Sequence, residues 1–115
     1  MQAWMTYNAR CGTARAVLDI LRQRGIAPEL REYLTAPLKR AELAALLKEM
    51  QVPARAIVRW KEKDAVAAAG IAADSTDDAL LDAMAAHPIL VNRPIVRTAK
   101  GTKLCRPSET VEALL

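Results

Sequence analysis

The chain has 115 residues, 17 Lys and Arg against 13 Asp and Glu for a formal charge of +4, and 52% hydrophobic residues. That length and composition predict a single domain over residues 1–115, able to bury about two-thirds of the surface of its unfolded chain without metal or disulfide, and exclude a largely disordered chain. A membrane association is not expected, because the longest apolar run, Ala65 to Ala73, falls far short of the roughly 20 residues a spanning helix requires.

The basic residues are scattered among acids and aromatic residues make up 3% of the chain, so no nucleic-acid partner is expected. Met1 to Tyr7 has no basic start followed by a long apolar run, which argues against an export signal. Two cysteines in such a chain suggest free thiols in a reducing compartment, with the cytoplasm as the expected location.

The segment from Ala3 to Tyr7 is long enough for one strand and leads directly to Cys11. Ala14, Val17, Leu18 and Leu21 follow at helical spacing, with Arg22 and Arg24 in the last turn and Gly25 as the stop. Pro28 opens a second strand through Leu30 to Tyr33, and Thr35 to Pro37 reads as a turn. A second helical stripe is formed by Leu43, Leu46, Leu47 and Met50, and Pro53 starts a short helix that carries Arg55 and Arg59. Ser75 or Thr76 caps a further helix, which has Asp77 and Asp78 near its positive end, His87 near its negative end and Pro88 as its stop. Ile95 to Thr98 and Thr102 to Cys105 form a hairpin through Ala99, Lys100 and Gly101, and Pro107 with Ser108 begins a terminal helix. The order β, α, β, several helices, β, β, α predicts a small mixed sheet packed by helices.

Cys11 falls where the first strand hands over to the first helix. Unpaired backbone N–H groups and the helix dipole at that junction favour an anion and lower a thiol pKa, and Arg10 and Arg15 act in the same direction. Gly12 would let backbone approach a ligand closely. The opposing reading makes Cys11 a small buried apolar side chain, and spacing alone does not separate the two.

Four segments taken in order, TYNARCGTAR, RAIVR ending at Arg59, HPILVNRPIV with Arg93 and Pro94, and GTKLCRPSE with Arg106, resemble the glutaredoxin-dependent arsenate reductase family over nearly the whole chain. The resemblance implies an α/β, thioredoxin-like fold with a small mixed four-stranded sheet, flanking helices and an inserted helical segment. It implies Cys11 as the nucleophile that attacks arsenate, Arg59, Arg93 and Arg106 as the arginines that bind the oxyanion, and Pro94 as a cis-proline beside the thiol. Asn8 and Gly12 complete the substrate-binding set, Asn8 as a donor to the sulfur. Guanidinium groups suit that task on chemical grounds, being permanently charged and forked to match tetrahedral oxyanions.

The expected activity is therefore reduction of arsenate to arsenite, with glutathione as co-substrate, glutaredoxin as protein partner, no bound cofactor or metal, and a monomeric chain. The thiol loop departs from the family pattern at three positions: Tyr7 stands in place of His, Ala9 in place of Pro and Ala14 in place of Ser. Fewer donors to the sulfur follow, and so does the expectation of a less depressed thiol pKa. The departures keep open a related thiol oxidoreductase with another small substrate. A regulator resembling the Spx proteins is the last alternative, disfavoured because Ala14 leaves no CxxC pair. Cys105 is expected to pack as a core residue, His87 to serve a helix end rather than a metal, and Trp4 and Trp60 to pack.

Overall fold

The computed structural model describes residues 2–115. The chain divides into two units, one formed by the residues up to Ala36 together with Arg93–Leu115, the other by Pro37–Asn92.

The first unit is built on a four-stranded sheet. Its strands are β1 (Ala3–Thr6), β2 (Glu29–Arg31), β3 (Ile95–Thr98) and β4 (Gly101–Leu104), in the order β2-β1-β3-β4. β1 runs parallel to β2 and antiparallel to β3, and β3 pairs antiparallel with β4. This is the small mixed sheet that the order of elements predicts, in the thioredoxin-like arrangement that the resemblance implies. Strand boundaries moved: β1 ends at Thr6 rather than Tyr7, and β4 at Leu104 rather than Cys105. β2 ends at Arg31 because the chain turns at Glu32, whose carbonyl accepts the N–H groups of Thr35 and Ala36 at 3.0 and 2.8 Å. β4 takes in Gly101, whose φ of +143° suits a residue without a Cβ, so only Ala99 and Lys100 make the hairpin turn.

Helix α1 (Gly12–Gln23) connects β1 to β2 and buries the expected stripe of Ala14, Val17, Leu18 and Leu21. It stops as expected at Gly25, with φ of +75°, where the Ile26 N–H reaches back to the Leu21 carbonyl at 2.9 Å. The terminal segment Ser108–Leu114 is a 3₁₀ helix that also packs on α1. Met5 and Val96 from the sheet, the α1 stripe, Cys105, Val111 and Leu114 close one apolar core.

Two buried threonines tie this unit together. Thr6 Oγ1 accepts the Ile95 N–H at 2.9 Å, and Thr98 Oγ1 donates to the Leu114 carbonyl at 2.7 Å. The first bond fixes the entry of β3, immediately after Pro94.

The second unit is helical: α2 (Arg40–Met50), a 3₁₀ turn at Ala54–Ile57, α3 (Lys63–Ala69), α4 (Asp77–Ala86) and a 3₁₀ turn at Pro88–Leu90. α2 and α4 pack through Leu43, Leu46 and Leu47 against Leu80, Leu81 and Met84. Of the two candidate caps it is Thr76 that closes α4, accepting the Ala79 N–H at 3.1 Å, while Ser75 Oγ accepts from Ala72. Asp77 Oδ1 accepts the Ala54 N–H and anchors the 3₁₀ turn to the start of α4. Arg59 lies beyond that turn rather than within it, since Val58 pairs with Val91 as an isolated bridge and leaves the helical path. Among the described residues no helix is long and apolar enough to cross a membrane.

Replacing Thr6 by Val keeps the shape of the side chain and strands the buried Ile95 N–H, so Thr6→Val should cost about 1–3 kcal/mol. Urea unfolding followed by circular dichroism should show a lower midpoint at unchanged slope.

Candidate functional site

Cys11 occupies the N-cap of α1 in an extended conformation, with φ of −89° and ψ of 114°. Its carbonyl accepts the Arg15 N–H, and its own N–H donates to the Asn8 carbonyl at 2.9 Å. The first turn of α1 holds no acidic residue, so nothing on the helix competes for the partial positive charge of its exposed N–H groups. The sulfur is thereby aimed at the positive end of a helix.

The turn before it is shaped by Asn8, whose Oδ1 accepts the Arg10 N–H at 3.0 Å. The expected role of Asn8 was donation to the sulfur; what the structure shows is an Asx turn that sets the path into Cys11. Gly12 opens α1, and a Cβ built there would meet only the Arg15 guanidinium at 3.8 Å, an ordinary contact. Gly12 is thus exposed at the mouth of the helix without being required by packing.

Two of the three expected arginines converge on this thiol. Arg106 Nη1 donates to Cys11 Sγ at 3.9 Å and to the Arg93 carbonyl at 3.1 Å, so one guanidinium links the thiol loop to the segment before β3. The Arg93 side chain also acts on the thiol, lowering its pKa. The Arg93–Pro94 bond is cis, as the resemblance implies, and Arg106–Pro107 is a second cis bond. The peptide that follows Pro94 is pinned at both of its polar groups, the Ile95 N–H by Thr6 Oγ1 and the Pro94 carbonyl by the Cys105 N–H at 2.8 Å.

Arg59 belongs to the other unit. Its N–H donates to the Leu90 carbonyl at 2.7 Å, and its half-buried Nε donates to Glu62 Oε1 at 3.1 Å. Trp60, beside it, uses its indole N–H on the Arg55 carbonyl.

The electrostatics of Cys11 are a contest. Burial raises the pKa of the thiol, and the Ala14 N–H, the Arg93 side chain and its charge, and the Arg106 side chain lower it; the lowering side wins, leaving the thiol below its ordinary value of 9.0. At an effective dielectric of about 20, a full thiolate and a guanidinium separated by about 4 Å attract by about 4 kcal/mol, less the screening that water around exposed Arg106 provides. Cys105 shows the opposite outcome. It is fully buried in the core, where its thiol donates to the Lys103 carbonyl at 3.6 Å, and burial pushes its pKa up to about 12. The expectation that Cys105 packs as a core residue agrees with that placement.

Sequence reasoning did not find the carbonyl of Arg93 as a partner of Arg106, nor the bond from the Tyr7 N–H to the Arg31 carbonyl that ties the thiol loop to β2. Main-chain contacts between distant segments leave no mark on residue type. The Asx turn was findable, since Asn two positions before a backbone donor is its usual signature.

The pattern of the ArsC family matches residues 7–114. The chain is 47% identical over 110 residues to an arsenate reductase of Escherichia coli, which covers 95% of this chain and 77% of the relative. It is 43% identical over 116 residues to an arsenate reductase of Rhizobium meliloti, which covers 100% of this chain and 82% of the relative. The structure superposes on that of an arsenate reductase from Vibrio cholerae with a TM-score of 0.92 and 34% identity, covering 100% of this chain and 98% of that one. With its cysteine at the start of the first helix, two arginines converging on the thiol, and a family pattern matched almost from end to end, the chain belongs to the ArsC family.

Proposed function

We propose that this protein reduces arsenate to arsenite, with Cys11 as the nucleophile and Arg93 and Arg106 as the groups that hold the oxyanion. The observation that carries the reading is the placement of Cys11 Sγ at the N-terminus of α1 within reach of the Arg106 guanidinium, in a chain whose relatives are arsenate reductases. A thiol held below its ordinary pKa supplies the thiolate that nucleophilic attack requires, and the same cations stabilise charge on the arsenic oxygens. Arg59 is the third oxyanion-binding arginine of this reading by resemblance to the family.

In the proposed sequence, the Cys11 thiolate bonds to arsenic and one arsenate oxygen leaves as water. Glutathione then engages the arsenic adduct as co-substrate, and glutaredoxin resolves the mixed disulfide. Two thiols end as one disulfide, and their electron pair takes arsenic from +5 to +3, so no bound cofactor or metal is called for. Cys105, buried and held protonated, plays no part in the exchange. Thiol exchange of this kind suits a reducing compartment such as the cytoplasm.

Cys11→Ser should abolish arsenate-dependent NADPH oxidation in an assay coupled through glutathione reductase and glutaredoxin, with the circular dichroism spectrum unchanged; full turnover by that variant would remove Cys11 from the mechanism. Arg106→Gln and Arg93→Gln should each lower kcat/KM for arsenate by about 10²–10³-fold, the usual loss for one charge-stabilising donor. Arg59→Gln should do the same, and a variant indistinguishable from the parent would take Arg59 out of the oxyanion set.

The pH dependence follows from the same geometry. Alkylation of the native protein by iodoacetamide should modify one cysteine per chain, with a midpoint below 9.0, and Arg106→Gln should move that midpoint upward. Cys105 should react only after unfolding, as counted by mass spectrometry. Because the Cys11 value is lower in the folded than in the unfolded chain, the thiolate stabilises the fold above the unfolded thiol pKa. That contribution is lost as pH falls through the folded value.

A further inference from the structure

A groove of about 250 Å³ lies directly beside the thiol loop, lined by Tyr7 to Arg10 on one side and by Glu32, Leu34 and Thr35 on the other. Its first wall ends at the residue before Cys11. We infer that this groove seats the small peptide thiol that reacts with the arsenic adduct, an inference that rests on the arsenate-reductase reading above. Pockets for drug-sized ligands run to about 300–1,000 Å³, so this one holds the cysteinyl part of a short peptide and one flanking residue rather than a folded partner.

The chemistry of the walls selects the occupant. Arg10 and Glu32 are both exposed, and among the described residues neither uses its charge in an ion pair. A site of two opposite charges suits a zwitterion, carboxylate toward Arg10 and ammonium toward Glu32, and suits an inorganic oxyanion poorly because Glu32 would repel it. Between them, Leu34 is 44% exposed, the largest value among the big apolar side chains, and offers a surface for the methylenes of the peptide. Glutathione has these three features: carboxylates, an α-ammonium and a thiol on a short flexible backbone.

The walls are also fixed in place. The Tyr7 N–H donates to the Arg31 carbonyl at 2.8 Å, Asn8 Oδ1 holds the Arg10 N–H, and the Glu32 carbonyl accepts the Thr35 hydroxyl at 3.1 Å along with its N–H. A ligand entering such a groove orders little of the protein, which lowers the cost of binding. The larger cavity of about 310 Å³, bounded by Trp4, Glu29 and Arg97, lies at the other end of β1, away from the loop that carries the thiol. In the groove beside Cys11, the bound thiol loses its proton to water, its sulfur bonds to the arsenic carried by Cys11, and an arsenic-bound oxygen leaves as water. Arsenic remains at +5 until the glutaredoxin thiol attacks the glutathione sulfur, which forms the glutaredoxin–glutathione mixed disulfide and passes the S–As electron pair to arsenic; water then adds to arsenic(III), freeing arsenite and returning the Cys11 thiol.

Two measurements test the inference and separate it from the functional reading. Titration of the ¹⁵N-labelled Cys11→Ser protein with reduced glutathione should shift the amides of residues 7–10 and 32–35 first and most. Shifts confined to other residues, or none at 20 mM glutathione on the order of weak-ligand concentrations, would overturn the groove whether or not the protein turns over. In steady-state arsenite formation, Glu32→Lys and Leu34→Asp should each raise KM for glutathione about 5–10-fold while KM for arsenate stays put, as expected when only one ligand loses binding. With 2-mercaptoethanol as the thiol the variants should match the parent, because that thiol has no charges to place. Equal glutathione KM values in parent and variants, or equal losses with both thiols, would sink the groove and leave arsenate reduction standing. A parent that makes no arsenite while glutathione still shifts the groove amides would sink the functional reading and leave the groove standing.

Discussion

A sulfur that is both buried and inclined to be negative is the constraint on which the first unit depends. Cys11 is 8% exposed, and burial alone favours the neutral thiol. What reverses the balance is a set of donors drawn from three stretches of chain: the Ala14 N–H from the start of α1, Arg93 from the segment before β3, and Arg106 from the segment after β4. Arg106 stands 95 positions from Cys11, so no local structure brings them together. Only the strand order does, by placing β1 beside β3 and β3 beside β4 with alternating direction, so that the three stretches meet at one end of the strands.

The sheet in turn depends on polar groups as much as on its apolar core. Thr6 follows the central strand β1 to its end and takes the Ile95 N–H; the Cys105 N–H takes the Pro94 carbonyl. Both bonds hold the Pro94–Ile95 peptide, which directly follows the cis Arg93–Pro94 peptide that presents Arg93. A buried polar atom left without its partner costs more than the bond itself contributes, so these contacts fix the position of the segment more firmly than the apolar packing around it, which tolerates small shifts. The two cysteines show how far environment governs chemistry. Cys11 and Cys105 share one apolar core, yet the thiol at the helix start with guanidinium partners is held below its ordinary pKa, while the one facing a carbonyl is held at about 12.

Periodicity carried much of this architecture. The stripe from Ala14 to Leu21 and the stripe from Leu43 to Leu47 are the buried faces of α1 and α2, and the β-rich runs after Pro94 are β3 and β4. Lengths of short elements were harder to read. β2 has only three residues, because Glu32 begins a turn whose hydrogen bonds are to backbone and leave the side-chain pattern unchanged. Arg59 illustrates the same limit: its helical reading followed from Pro53 and the residues after it, and was undone by a single bridge between Val58 and Val91, 33 positions apart. Within the site, residue types announced Cys11 and the arginines, whereas the use of the Arg93 carbonyl, a group every residue possesses, could come only from the folded chain.

The three departures in the thiol loop bear on different steps. Ser at position 14 would add a hydroxyl, but Ala14 is fully buried in the core and acts on the sulfur through its backbone N–H, which any residue there supplies. The hydroxyl that sequence alone counted as lost is absent, and the thiol stays below its ordinary value through the backbone N–H and the two arginines. Tyr7 and Ala9 are placed otherwise. Tyr7 packs against the apolar core and lines the groove beside the loop, and Ala9 lines it with the smallest wall a chiral residue can give. The causes that lower the Cys11 pKa are the Ala14 N–H, Arg93 and Arg106. What Tyr7 and Ala9 set is the shape of the space next to the sulfur, so in the proposed scheme variation at these positions acts on which thiol approaches the arsenic adduct, while formation of that adduct remains the work of α1, Arg93 and Arg106.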